Sequence, residues 1–252
     1  MSDITIVIGA IGLVAGSLIG CVGVGGVIVV PALVYDVGAP IHDAIAAAMM
    51  GYILTGLIGT SIYARSRSIR WDLAGWIALG AGPGALIGAW AINFVAQIVL
   101  ECGIGALALL SGLNALWNRW PDRGAGTPAL GASTLLPIGF ATGALSAVTG
   151  TGGPLVLVPI LLWLGLPTLT AVGLSQAAQV PIATLATLGN FLNGAPDVSS
   201  GVALGAGLAI GTWAGARAAH AMPRRALDGL AAAVLVTVGT LILVRLGFRP
   251  FA

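Results

Sequence analysis

The sequence predicts an all-α polytopic membrane protein made of two repeats, each a broken glycine-rich helix followed by three transmembrane helices. Three observations carry that prediction. Hydrophobic residues form 58% of the 252-residue chain against 7% charged, with a mean hydropathy of +1.05, which leaves too little polar surface for a water-facing fold. The apolar runs are about 20 residues long, the length that crosses a hydrocarbon core of about 30 Å as a helix. Finally, Gly12-x3-Gly16-x6-Gly23-Val24-Gly25-Gly26 recurs as Gly139-x3-Gly143-x6-Gly150-Thr151-Gly152-Gly153, at an offset of 127 residues.

The same offset aligns Gly38 with Gly165, Pro40 with Pro167, Gly80 with Gly207, Gly84 with Gly211 and Gly88 with Gly215. Pro31 and Pro159 are one residue out of step, which implies a one-residue insertion in the second copy. The glycine-rich elements, 4–37 and 132–165, are too long for one span and short for two joined by a loop. Each reads as a helix that breaks at Gly23–Gly26 or Gly150–Gly153 and resumes as a half-helix. Full spans follow near 44–64, 72–94 and 98–117, with counterparts near 169–192, 200–219 and 226–244. Between them Arg119, Pro121, Asp122, Arg123, Gly124 and Gly126 supply polar turn chemistry, so 118–128 is the linker between a first repeat, 1–123, and a second, 129–252. Met1-Ser2-Asp3 lacks the basic region of a signal peptide, and the first apolar stretch outruns one. The stripes Gly80-x3-Gly84-x3-Gly88 and Gly207-x3-Gly211-x3-Gly215 are surfaces on which helix backbones approach closely.

Arginine placement predicts the topology, because cytoplasmic loops near span ends are enriched in basic residues. If both broken elements turn back, Arg65, Arg67, Arg70, Arg119, Arg123, Arg217, Arg224 and Arg225 share one side, and Arg245 and Arg249 lie opposite. If both cross, the bias is weaker. The returning arrangement leaves an odd number of crossings in each half, so the repeats are expected to be inverted.

A broken helix within a bilayer leaves backbone N–H groups that protein or a water-filled cavity must satisfy. A duplicated break of this kind points to a transporter. The half-helix after each Gly-x-Gly-Gly begins with free N–H groups and a partial positive charge, which suit an anion. The second break is the more polar, with Ser146, Thr149 and Thr151 where the first has Ile19, Val22 and Val24. In the span that follows, Gln176 and Gln179 share one helix face, and their repeat mates are Met49 and Tyr52. Amides and a phenol hydrogen-bond an oxyanion without burying a charge. The candidate substrate-binding set is therefore Gly23, Gly25, Gly26, Ser146, Thr149, Gly150, Thr151, Gly152, Gly153, Gln176 and Gln179. Set against it, glycines also serve packing or a kink, and intramembrane amides also bond neighbouring helices.

Other polar residues read as structural or peripheral. Arg217 is the foremost ionisable candidate within a span, yet near enough to a helix end to reach the surface. Asp36, His42 and Asp43 form a cluster that suits either a proton relay or a solvated loop with Asp43 as a cap. Asp72 and Ser199 precede spans as caps do, and Arg224 stands one turn before Asp228, the repeat mate of Glu101, to pair with it. Cys21 and Cys102 sit among apolar residues and do not recur at the offset, so neither a disulfide nor a metal site is expected. No phosphate-binding Gly-Lys-Ser/Thr loop is present, and His42 and His220 complete no catalytic constellation. The chain is thus expected not to be an enzyme and to need no cofactor or nucleic acid.

Taken with the second copy, Gly16-x3-Gly20-x2-Gly23-Val24-Gly25-Gly26-x4-Pro31, Tyr63-Ala64-Arg65-Ser66-Arg67-Ser68-Ile69-Arg70-Trp71-Asp72 and Gly211-x3-Gly215-x7-Pro223-Arg224-Arg225 resemble the TauE/SafE sulfite-exporter-like transporters over nearly the whole chain. The resemblance implies secondary transport, as an exporter, of small sulfur-containing anions such as sulfite, sulfoacetate or other sulfonates across a bacterial inner membrane. Pro154 stands where the first repeat has Val27 and where the family often has a third glycine, so the two half-sites are not equivalent. Proline is acceptable in a first helical turn.

The sequence therefore predicts a multi-pass transporter in the lipid bilayer that binds a small anionic substrate at facing broken-helix ends near the midplane. It leaves room for a coupling ion, proton or sodium, and for a homo-oligomer. The alternatives are a small-carboxylate or other anion carrier, and a non-transporting membrane component that docks a partner.

Overall fold

A computed structural model of the chain describes residues 2–91, 130–193 and 198–247, with positions 102, 105, 106, 108–110, 112, 113 and 116 between them. The regular structure among the described residues is all helical, and its bounded elements run in the order α1 (Ser2–Val22), α2 (Gly26–Tyr35), α3 (Ile41–Arg65), α4 (Trp71–Ala91), α5 (Ala132–Thr149), α6 (Pro154–Trp163), α7 (Thr168–Asn193), α8 (Val198–Ala221) and α9 (Arg224–Gly247). The expected linker 118–128 lies outside the described residues, as do Glu101, Arg119, Arg123, Arg249 and much of the expected span 98–117.

Seven of these helices are long and apolar enough to cross a membrane, and α2 and α6 are not. At ten residues each, those two are about 15 Å long, half the thickness of a hydrocarbon core. Each glycine-rich element is therefore a full helix followed by a half-helix. Both full helices end on a left-handed glycine, Gly23 at φ +77° and Gly150 at φ +70°. The N–H of Gly150 closes the last turn on Ser146 O at 2.9 Å, a conformation that only glycine adopts without cost. Both half-helices also end before a left-handed glycine, Gly38 and Gly165. The extra residue of the second copy is taken up there: Ala39 N–H bonds Leu33 O, six residues back, whereas Leu166 N–H bonds Leu161 O, five back.

Two helix pairs pack backbone to backbone. A Cβ added at Gly80, Gly84 or Gly88 of α4 would overlap a carbonyl of Leu136, Phe140 or Ala144 on α5. Likewise Gly207, Gly211 and Gly215 of α8 rest on Gly9, Leu13 and Ser17 of α1. Where lipid gives no hydrophobic drive for association, this contact area is what joins the helices. The stripes read from the sequence are thus packing seams, and each joins the first helix of one copy to a late helix of the other. At the centre α3 crosses α7, with Gly56 against Val180.

Large apolar side chains cover the outer faces. On α4, Trp76, Leu79, Ile87 and Trp90 are 43%, 63%, 51% and 67% exposed, a surface suited to hydrocarbon and not to water.

Candidate substrate site at the two helix breaks

The two breaks meet. Gly26, the first residue of α2, lies so close to Thr151 of the second break that a Cβ would overlap the Thr151 carbonyl. Gly25 lies equally close to Ala15 O, so the chain doubles back along α1 before α2 begins. At the second break, Gly152 and Gly153 are left-handed, at φ +80° and +99°, and a Cβ at Gly152 would stand 2.7 Å from the Tyr52 ring. Gly25 has an ordinary φ of −107°. The half-sites therefore differ in backbone as well as in side chains.

At each break N–H groups lie outside the backbone network, those of Val24, Gly25, Gly26 and Val27 at the first and of Thr151, Gly152, Gly153 and Leu155 at the second, where Pro154 opens α6 without one. The first backbone bond after Gly23 is Ile28 N–H to Gly25 O at 3.1 Å, and the first after Gly150 is Val156 N–H to Gly153 O at 3.1 Å. Ser146 faces the second of these breaks. Its Oγ is fully buried, has no hydrogen-bond partner, and lies 3.9 Å from where a Gly153 Cβ would be. Thr142, one turn earlier on α5, carries a second buried hydroxyl without a partner. At the first break Ile19 occupies the matching place, and its Cγ1 is 2.8 Å from the Cβ position of Gly25.

Three carbonyls around the first break accept hydrogen bonds from side chains of α3 and α7, and one of them, Ile19 O, also accepts the Gly23 N–H at 3.0 Å. Gln176 Nε2 donates to Ile19 O at 2.8 Å, Tyr63 OH to Gly20 O at 2.8 Å and Tyr52 OH to Gly26 O at 3.0 Å. Gln179 Nε2 donates to Thr55 Oγ1 at 2.7 Å, and that hydroxyl donates to Tyr52 O at 2.9 Å. Both Gln Oε1 atoms are buried without partners. Gln176 thus stands at the first break, and Gln179 beside α3; Ser146, Thr149, Gly150, Thr151, Gly152 and Gly153 form the second break, against which Gly26 packs. Tyr63 and Thr55 carry roles that sequence reasoning missed. The only signal was a phenol or hydroxyl placed within a span.

Thr149 Oγ1 donates to Leu145 O at 2.7 Å and lies 3.0 Å from Thr151 Oγ1. These hydroxyls and Gly26 line the inner end of a cavity of about 890 Å³ between α2 and α9, whose outer end is lined by Tyr35, Asp36 and Arg245. The remaining candidates are peripheral. Arg217 is exposed, with its guanidinium 4.1 Å from the Trp213 ring centroid. Asp36, His42 and Asp43 are exposed. Asp228 accepts a hydrogen bond from Thr168 Oγ1, at the start of α7, at 2.5 Å and forms no ion pair with Arg224. Asp72 pairs with Arg70 at 2.6 Å. Among the described residues no His, Cys, Asp or Glu cluster of metal-binding geometry occurs.

The model of the family described as "Sulfite exporter TauE/SafE" matches residues 8–242. The chain is 24% identical to the probable membrane transporter protein YunE of Bacillus subtilis, over 95% of this chain and 96% of that one. It is 25% identical to the probable membrane transporter protein YdhB of the same organism, over 88% and 91% respectively. No solved structure matches the chain.

Proposed function

The chain belongs to the sulfite exporter TauE/SafE family of membrane transporters and is a multi-pass membrane protein; from that premise we propose that it exports a small sulfur-containing anion bound where its two helix breaks meet. The observation that carries this reading is the buried, unpartnered Ser146 hydroxyl facing the N-terminal end of α6. A donor hydroxyl beside free N–H groups and the positive end of a helix is an oxyanion site. The hydroxyls of Thr142, Thr149 and Thr151 supply further polar contact, while Gln176 holds the first break in shape. Two inverted repeats, 1–123 and 129–252, place the half-helices α2 and α6 at the midplane.

The seams favour a particular motion. Because α1 is locked to α8 and α4 to α5, the bodies that rock are these interlaced pairs, hinged where α3 crosses α7. Alternating access then exposes the breaks to one side at a time.

Thermal stabilisation of the purified protein across sulfite, sulfate, sulfoacetate, acetate and chloride tests the site, since a ligand stabilises the state that binds it. A selective shift for one sulfur oxyanion, weakened at least tenfold in apparent affinity by Ser146→Ala, is the expected result. A shift unaffected by Ser146→Ala moves the site elsewhere, and a preference for acetate makes the protein a carboxylate carrier.

A further inference from the structure

The cavity between α2 and α9 has a charge distribution that a bare oxyanion does not need. Its long walls are aliphatic, with Val27, Val30 and Val34 on α2 facing Val234, Val238 and Leu241 on α9. Thr237 interrupts the α9 wall, and the other polar side chains lie at the two ends. The inner end has Gly26, Thr149 and Thr151. The outer end has Arg245, whose guanidinium lies 4.3 Å from the centroid of the Tyr35 ring and which forms no ion pair among the described residues, together with exposed Asp36. From Val27 to Val34 the wall runs about 10 Å along the helix, room for an extended chain of several carbons.

We infer that this cavity takes an organic anion with a hydrocarbon body of about four carbons or more, its charged head at the helix breaks and its chain along the aliphatic walls. The inference rests on the anion-transport reading and narrows its substrate class from small sulfur-containing anions in general to alkyl-bearing sulfonates. A strongly hydrated inorganic ion gains nothing from aliphatic walls, whereas each methylene buried there adds about fourfold in affinity. Arg245 gives the outer mouth a positive potential, so in nanodiscs, where both faces are open to solvent, it speeds the anion's arrival from that side, an effect that weakens with salt.

The test is binding to the full-length protein in lipid nanodiscs by isothermal titration, with sulfite, methanesulfonate, butanesulfonate and octanesulfonate. Affinity is expected to rise by at least tenfold from methanesulfonate to butanesulfonate. Leu241→Trp, which fills the outer part of the cavity, removes that gain; Val244→Trp provides a second filling variant if the first does not fold. Arg245→Gln slows association severalfold at low salt, and Asp36→Asn does not. Equal affinity for sulfite, methanesulfonate and butanesulfonate overturns the inference and leaves the anion site standing. A chain-length gain that both filling variants retain overturns it too, as does a lipid in the cavity that millimolar octanesulfonate fails to displace by native mass spectrometry. Binding of none of the four anions overturns the anion-transport reading itself.

Discussion

At the scale of single residues, the second break carries a buried polar group that costs stability. A buried hydroxyl without a partner destabilises the fold by about 1–3 kcal/mol, so Ser146→Ala is expected to raise stability by about 1 kcal/mol while weakening anion binding. Opposite signs in a melting curve and a binding titration distinguish this from a structural serine, whose loss would lower both. Tyr52 behaves in the ordinary way. Its hydroxyl caps Gly26 O, and Tyr52→Phe removes one hydrogen bond worth about 1 kcal/mol, seen as a melting temperature lower by about 2–4 °C. The glycines of the breaks were legible in the sequence because a left-handed backbone or a carbonyl at contact distance excludes every other residue type. The caps were not. Tyr63, Gln176 and Tyr52 all donate to backbone carbonyls, and a carbonyl leaves no mark on the residue type that carries it.

At the scale of elements, the helix seams decide which substitutions the fold tolerates. Gly84 meets the Phe140 carbonyl with no room for a Cβ; Gly84→Leu is therefore expected to part α4 from α5 and abolish the monodisperse peak in size-exclusion chromatography. Gly75 has nothing within 4 Å of its Cβ position, and Gly75→Ala should leave the peak unchanged, or raise stability by about 0.5–1 kcal/mol through helix propensity. The boundaries of the spans that lie among the described residues were readable to within a few residues, since hydropathy and arginine mark where a helix meets water. Which seam pairs with which was hidden: all four stripes on α1, α4, α5 and α8 present the same small residues, and composition does not select among partners.

At the scale of the whole molecule, the cavity reaches the breaks along α2 and α9. Val27 lines it, whereas Val24 is fully buried. In a variant with Cys21 and Cys102 replaced, Val27→Cys is expected to react with a water-soluble thiol reagent and Val24→Cys to remain unmodified; the bound anion should slow the first reaction. Negative space of this kind is invisible in a sequence, because it is made by residues that fail to meet. The crossed seams also bear on how the protein is made. The glycine face of α1 waits for α8, whose matching stripe begins at Gly207, so at about 5–20 residues per second the ribosome delivers the partner on the order of ten to forty seconds later. Until then α1 lies in the bilayer with its backbone carbonyls uncovered, and a chain halted after the first repeat never acquires the surface that covers them.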